Sequence, residues 1–549
     1  MAAFEEKTPK LLLISDFEGC AEKSLSGQLQ SRLLCSKAFF DSISAFMTSN
    51  PGNKVAFLGD YFDQGDLVVD TINYIMEVHK KFPNRVHIIL GNRDLNKLRL
   101  IYEMRATPQT VDANNKWSVW NGFYPDMEAS TPLSLNARLL SIANKSMGAG
   151  GAIKIAPGLS AEESAHVLVR AFSKPNAELL GLTNSGELDK QYNIFYDNVR
   201  KLFTVGKIVV HDTDFKTMLS HAGGSDPFML HTDEYYENIK HELKQKSDKN
   251  TGKAILSTYY GKIETVRKLL QISPKGTEIA SSFNADTYNS VLKGIPDMFD
   301  STSIVLVNIN DSTSTVIPNE YYLLQGLGLK PDAHDGTAVT DGKTFTSFIQ
   351  SCDVQGCKGP HGPDINLSQD KANFEEAYKV YFETLVKQLI KFVAHGHVPN
   401  CTPIPLIYKR ADANGIIFVD NDTSNGYRPA EIDAINKIPL AYITTDGKAG
   451  VFSLDTMNAE STYKGANDVF APMVGEWDLE HAPTFVTDHI EYADGKRLTF
   501  PARPQKKIPA IFEPAAMAGG KRRRTRKNSN RRRGGSTKKN RKSHGRKHR

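Results

Sequence analysis

Six short apolar runs mark the chain, and each gives way at once to a polar cluster. They are LLLIS (11–15), KVAFL (54–58), VHIIL (86–90), TMLS (217–220), KFVA (391–394) and GIIFV (415–419). Unbroken apolar stretches of this length read as buried strands. Between the early runs the period lengthens. Leu67, Val68, Ile72, Ile75, Met76 and Val78 form an apolar stripe that predicts a helix over 67–82, and 22–49 has a helical composition. Residues 95–110 predict a helix reached directly from Asn92, with Lys97 and Arg99 either facing inward or solvated. Further helices are expected in LSLNARLLSIANKSM, in SAEESAHVLVRAFS, within 234–272 and over 373–392. Ser160 followed by Glu163 predicts a capping box for the second of these. Beyond residue 397 the pattern returns to strands: PLIYKR, GIIFVDND, LAYITTDG, AGVFSL and RLTFP. The stretch 330–371, dense in Gly, Asp, Thr and Ser, reads as a long loop.

The polar clusters behind the six runs carry the candidate chemistry. In order they are Asp16-Phe17-Glu18, Gly59-Asp60-Tyr61-Phe62-Asp63, Gly91-Asn92-Arg93-Asp94, His221-Ala222-Gly223, His395-Gly396-His397-Val398-Pro399 and Asp420-Asn421-Asp422. Residues just past the carboxyl ends of neighbouring strands converge on one crevice in open α/β sheets. Carboxylates, an amide oxygen and imidazoles gathered there suit a pair of divalent metals.

The order and wording of these clusters resemble the calcineurin-like metallophosphoesterases, and GDYFDQG, SHAGG and GHVP with FVDND resemble the phosphoprotein-phosphatase-like branch in particular. The resemblance implies an α/β fold, a four-layer α/β/β/α sandwich with large, mostly helical insertions. On that frame the core occupies 8–110, 205–224 and 373–512, cap-like insertions occupy 111–204 and 225–372, and 513–549 is a disordered basic tail. It also implies two divalent ions, Mn²⁺ foremost, with Mg²⁺, Fe or Zn²⁺ as the other candidates. Asp16 and Glu18 would hold the first ion, Asp60 would bridge, and Asn92 and His221 would hold the second. The last motif has two frames. In one, His397 is a ligand of the second ion and His395 an acid candidate; in the other, His395 takes the second ion and His397 the first. Asp63 and Asp94 would orient loops or ligands.

Two departures from the family wording bear on mechanism. Glu18 and Arg93 each stand where the family has His, so one negative and one positive charge replace two neutral rings. A guanidinium effectively never gives up its proton, so Arg93 can clamp phosphoryl oxygens but cannot act as a general acid. Gln64 stands where the phosphatases carry a phosphate-binding Arg, a role Arg428 is a candidate to take over. The implied activity is hydrolysis of phosphomonoesters or phosphoanhydrides of a small molecule, nucleotide or phosphoprotein. The alternatives are a dinucleoside-polyphosphate hydrolase and a catalytically weak relative that binds nucleic acid or a virion.

Composition adds a division of charge. The 549 residues carry 68 Lys and Arg against 62 Asp and Glu, but sixteen of the basic residues fall in 521–549 with no acid among them. The rest of the chain is therefore acidic, and the tail favours phosphate backbones without reading sequence. Such a tail also fits a nuclear localisation patch and is similar in style to tails on proteins of large DNA viruses. Without an apolar run long enough to cross a bilayer or a signal-like start, an intracellular protein is expected, in the host cytoplasm, nucleus or virion if viral. Five scattered cysteines predict free thiols at Cys20, Cys35 and Cys401, and an ordinary loop rather than a zinc site around Cys352, Cys357 and His361.

Overall fold

The computed structural model describes residues 8–20, 34–62, 65–100, 154–179, 186–223, 285–289, 382–397, 404–410, 415–422, 439–453, 476–486, 489–491 and 497–499, with single positions between them. Asp63, Gln64, Pro399, the Cys352–Cys357–His361 loop, Arg428 and the basic tail lie outside these residues.

All six apolar runs become strands or strand ends, because their side chains have no face that tolerates water. The first sheet begins with β1 (Lys10–Ile14), β2 (Lys54–Phe57) and β3 (Val86–Ile88), paired in parallel. It is completed by β9 (Pro439–Thr444), antiparallel to β1, then β10 (Ala449–Ser453) and β11 (Glu476–Trp477). Its order is β11-β10-β9-β1-β2-β3. The second sheet contains β4 (Val209–Asp212), β5 (Thr217–Ser220), β6 (Phe392–His395), β7 (Leu406–Arg410), β8 (Ile417–Asp420), β12 (Thr484–Val486), β13 (His489–Glu491) and β14 (Arg497–Thr499), in the order β14-β13-β12-β7-β8-β6-β5-β4. In it β6 runs parallel to both β5 and β8, while β4 and β7 are antiparallel to their neighbours. The fold is thus mixed α/β with two mixed sheets.

Among the described residues the helices follow the expected pattern, while those expected over 133–147 and 234–272 lie outside the described residues. Helix α1 (Lys37–Ser49) is capped by Ser36, whose hydroxyl accepts from Phe39 N, and buries Phe39, Phe40, Ile43, Phe46 and Met47. Helix α2 (Val68–Lys81) buries the apolar stripe expected over 67–82. Of the helix expected over 95–110, residues 101–110 lie outside the described residues; the described part begins earlier, as α3 (Asn92–Asn96), and tightens into a 3₁₀ turn at Lys97–Arg99, where Lys97 is buried with its ammonium on the Arg93 carbonyl at 3.0 Å. Helix α4 (Ala161–Phe172) opens on the predicted capping box, with Glu163 N donating to Ser160 Oγ at 3.1 Å and Ser160 N to Glu163 Oε2 at 2.8 Å. Helices α5 (Lys174–Leu179) and α6 (Gly186–Val205) follow, and Phe172 packs on Phe62 with ring centroids 5.4 Å apart.

The two sheets meet at one edge. Leu90 N donates to the Lys207 carbonyl and Lys207 N to that of Ile88, at 2.8 and 2.9 Å. Beside this bridge the buried Asp212 of β4 receives Lys54 Nζ at 2.8 Å and faces His87 Nε2 at 2.6 Å, joining two strands of the first sheet to the second. One expectation fails outright. Cys20 and Cys35 are joined in a disulfide rather than standing as free thiols. An odd cysteine count leaves one sulfur over but does not forbid a pair, and the pair closes when the turn after β1 is folded against the start of α1.

Candidate metal centre

The strand ends of both sheets deliver polar side chains to one place. The turn after β1 brings Asp16 and Glu18, that after β2 brings Asp60, and α3 brings Asn92, Arg93 and Asp94. The second sheet supplies His221 after β5, His395 and His397 at and after β6, and Asp420 to Asp422 after β8. Main-chain bonds lock these turns together. Glu18 N donates to the Asp60 carbonyl at 2.8 Å, Gly396 N to that of His221 at 2.8 Å, and Asn421 N to that of His395 at 2.8 Å.

The backbone is strained where the side chains converge. Asp16 (φ 54°), Glu18 (φ 46°), Asp60 (φ 57°) and His397 (φ 70°) all sit in the left-handed region, which non-glycine residues enter rarely and at a cost. Gly59, at φ 99°, lies so close to the histidine that a Cβ there would meet His221 Nδ1 at 2.8 Å.

Asp60, His221 and His397 form the centre of the group, each offering one ligand atom within 4.8 Å of the others. His221 is fully buried, and its Nδ1–H donates to the Leu58 carbonyl at 2.6 Å. That bond occupies Nδ1 and leaves Nε2 facing inward, 3.3 Å from Asp60 Oδ1, as the ring's ligand atom. The Asn92 side-chain oxygen lies 3.2 Å from both His221 Nε2 and His397 Nδ1. Turned over, the amide NH₂ donates to both rings and to Asp60. A carboxylate, an amide and two imidazoles thus converge on one point, where a cation can take the place of the hydrogens between them. The donor set therefore fits a divalent ion of mixed oxygen and nitrogen preference.

Charge is distributed accordingly. Burial alone would raise the Asp60 pKa, but His221, Arg93 and His397 hold it well below the usual carboxylate range. Burial opposes protonation of His221, yet Asp60 and Asp16 push its pKa up to about 10. Burial and the nearby His221 charge press His397 down to about 3, so this ring is neutral. Asp16 is raised well above the ordinary value by burial and by Asp422, while its Oδ2 accepts from the Ser15 hydroxyl and, at 3.1 Å, from His397 N.

Asp94 is a scaffold for the turn after β2. Its Oδ2 accepts from Asp60 N at 2.9 Å and Gly91 N at 2.8 Å, and its Oδ1 accepts from Tyr61 N at 2.7 Å. Burial and the Asp60 charge raise its pKa to about 7 against the pull of those amides. Arg93 does not extend outward as a phosphate clamp. Its Nη2 lies 3.0 Å from Glu18 Oε1 and its Nε 3.2 Å from Asp60 Oδ2.

His395 stays apart from the central group. It is fully buried, its Nδ1 meets the Gly396 carbonyl at 3.2 Å, and its Nε2 has no hydrogen-bond partner. Burial lowers its pKa to about 4. Ser15 and the Leu58 carbonyl were not singled out by sequence reasoning, whereas Asp422 stood in the sixth polar cluster. Only Ser15 carried a signal, as the polar residue ending the first apolar run.

No family model matches the chain. Over 66 residues it is 29% identical to the serine/threonine-protein phosphatase 6 catalytic subunit of Caenorhabditis elegans, a stretch covering 12% of this chain and 20% of that relative. The chain thus matches about a fifth of the relative's length, and a viral source finds no support in the likeness. The chain thus carries both a phosphatase-like stretch and a clustered Asp60/His221/His397 set that could hold a metal ion.

Proposed function

We propose that the protein is a hydrolase of phosphomonoester or phosphoanhydride bonds that works with a divalent cation, Mn²⁺ foremost, held by Asp60, Asn92, His221 and His397. The observation that carries this reading is the convergence of Asp60, Asn92, His221 and His397 on one point, with His221 Nδ1 engaged by the Leu58 carbonyl so that Nε2 is its ligand atom. A cation there supplies Lewis acidity toward a phosphoryl oxygen and lowers the pKa of water. Of the two frames of the last motif, this reading takes the one in which His397 belongs to the ion held by Asn92 and His221 and His395 does not ligate it, supported by His397 Nδ1 facing Asn92 at 3.2 Å.

The remaining residues shape what the site can hydrolyse. Arg93 brings positive charge to the phosphoryl group but no transferable proton. His395, neutral down to a pKa of about 4, holds no imidazolium proton to give at neutral pH. A leaving group must then depart without protonation, which favours aryl phosphates and phosphoanhydrides over alkyl phosphoserine. The fuller reading taken from the resemblance places a second cation among Asp16, Glu18 and Asp60.

Titrating metal-free protein with Mn²⁺ in a nitrophenyl phosphate assay, with Asp60→Asn in parallel, tests the proposal. We expect Mn²⁺-dependent turnover, lost by at least a hundredfold in Asp60→Asn. Turnover that is indifferent to Mn²⁺ or to Asp60 would overturn it. A second role in non-specific nucleic-acid binding is supported by the sixteen Lys and Arg of 521–549.

A further inference from the structure

The two cation positions of the centre are built differently. We propose that the Arg93 guanidinium is the fixed cation of the first position, so that the site takes one exchangeable divalent ion rather than two; this rests on the metal-dependent reading above.

The geometry of Arg93 carries the inference. Its side chain forks onto Glu18 Oε1 at 3.0 Å and Asp60 Oδ2 at 3.2 Å, the two carboxylates that a first ion would have to share. Its own backbone N–H donates to the other Asp60 oxygen at 3.0 Å. One residue therefore grips both oxygens of the bridging carboxylate, main chain on Oδ1 and guanidinium on Oδ2. Asp16 Oδ2, from the third carboxylate, accepts from the Ser15 hydroxyl and the His397 amide. Donor hydrogens thus already meet an oxygen of each carboxylate at the first position. At the second position Asp60 Oδ1, the Asn92 amide and the two imidazoles converge with no guanidinium or ammonium found among them in the described residues, so a divalent ion there has no fixed charge to displace.

The chemistry of the two unusual residues agrees with this. A carboxylate at 18 and a guanidinium at 93 make an ion pair with a side-chain exposure of 9% for Glu18 and 23% for Arg93. The planar fork matches carboxylate geometry, and its charge does not titrate in the working range. A divalent ion arriving between Glu18 and Asp60 would meet a fixed positive charge and would have to displace it from both partners. Neither substitution is a lost ligand by itself; together they exchange a dissociable cation for a covalently held one.

The test is metal stoichiometry on the full chain, which does not depend on turnover. Metal-free protein is loaded with Mn²⁺, and bound metal is measured by elemental analysis and by electron paramagnetic resonance. We expect one Mn²⁺ per chain in the wild type, with the resolved hyperfine sextet of an isolated ion. Arg93→Lys, which keeps the charge, should also hold one. Arg93→Ala and Arg93→His should hold two, with the spectrum of an exchange-coupled pair. Two ions in the wild type would overturn the proposal, and so would an Arg93→Ala protein that folds, judged by circular dichroism, and still holds one. No bound Mn²⁺ in the wild type would overturn the metal-dependent reading itself. His221→Ala separates the cases, because it should empty the second position whatever Arg93 does.

Discussion

At the scale of the residue, the buried acid Asp94 shows how a single side chain can organise a reactive turn. Its two oxygens collect main-chain N–H groups of Asp60, Tyr61 and Gly91, and that fixes the left-handed backbone from which Asp60 points at the imidazoles. An amide in its place would turn a donor toward one of those donors. Asp94→Asn should therefore cost about 2–3 kcal/mol in denaturant melts and weaken Mn²⁺ binding about 10- to 100-fold, the usual penalty for losing support behind a ligand. His221 yields a second prediction at this scale. With its pKa at about 10 in the metal-free centre, it carries a proton at neutral pH, and a cation must displace that proton from Nε2. Mn²⁺ affinity should rise about tenfold per pH unit across pH 6–8, with about one proton released per ion in calorimetry run in buffers of different ionisation enthalpy. Affinity that falls or stays flat with rising pH would count against His221 as a ligand. The sequence already singled out Asp60, Asn92, His221 and His397, because each follows an apolar run, and the structure brings the four together. It could not show that Arg93 turns back onto Glu18 and Asp60, since order along the chain carries no information about side-chain direction.

At the scale of the element, the strands were legible and their neighbours were not. Runs such as LLLI and FVAH have no polar face and so declare themselves as buried strands. Nothing in β9 announces that it will pair with β1, because pairing across a long separation leaves no local pattern. The helix expected from residue 95 starts three residues earlier, at Asn92, for a local reason: the Asp94 carboxylate caps the amide of Gly91. The disulfide between Cys20 and Cys35 closes a short loop after Glu18; by chain entropy alone such a loop stabilises by about 3 kcal/mol. The seam between sheets is the element-level feature most open to test. Asp212 holds Lys54 and the Asp214 and Phe215 amides and faces His87, all from a position 3% exposed. Asp212→Asn should cost about 2–4 kcal/mol. Burial would raise the Asp212 pKa, but His87 and Lys54 hold it far below the ordinary carboxylate range. A depressed acid contributes stability above its unfolded pKa and loses it as pH falls through the folded value. The gap between wild type and Asp212→Asn should stay constant near neutrality and shrink only below about pH 4.

At the scale of the whole molecule, charge divides the chain into an acidic body and a basic tail. The nucleic-acid binding proposed for the tail would follow from counterion release rather than shape, and should be separable from the centre. Removing residues 516–549 should leave Mn²⁺-dependent turnover within about twofold, and nucleic-acid binding should fall by at least tenfold and lose its salt dependence. Retained, salt-sensitive binding by the truncated protein would place that function elsewhere. The order of strands has a consequence for synthesis. Leu11, Leu12 and Leu13 of β1 find their antiparallel partners in Ile443, Tyr442 and Ala441 of β9. At about 5–20 residues per second, a ribosome needs on the order of tens of seconds after making β1 before it makes β9. Through that interval the nascent first sheet carries a bare leucine edge that other strands can join. A product that stops short of residue 439, by early termination or by proteolysis, keeps that edge open permanently, and its fate is aggregation rather than life as a smaller enzyme.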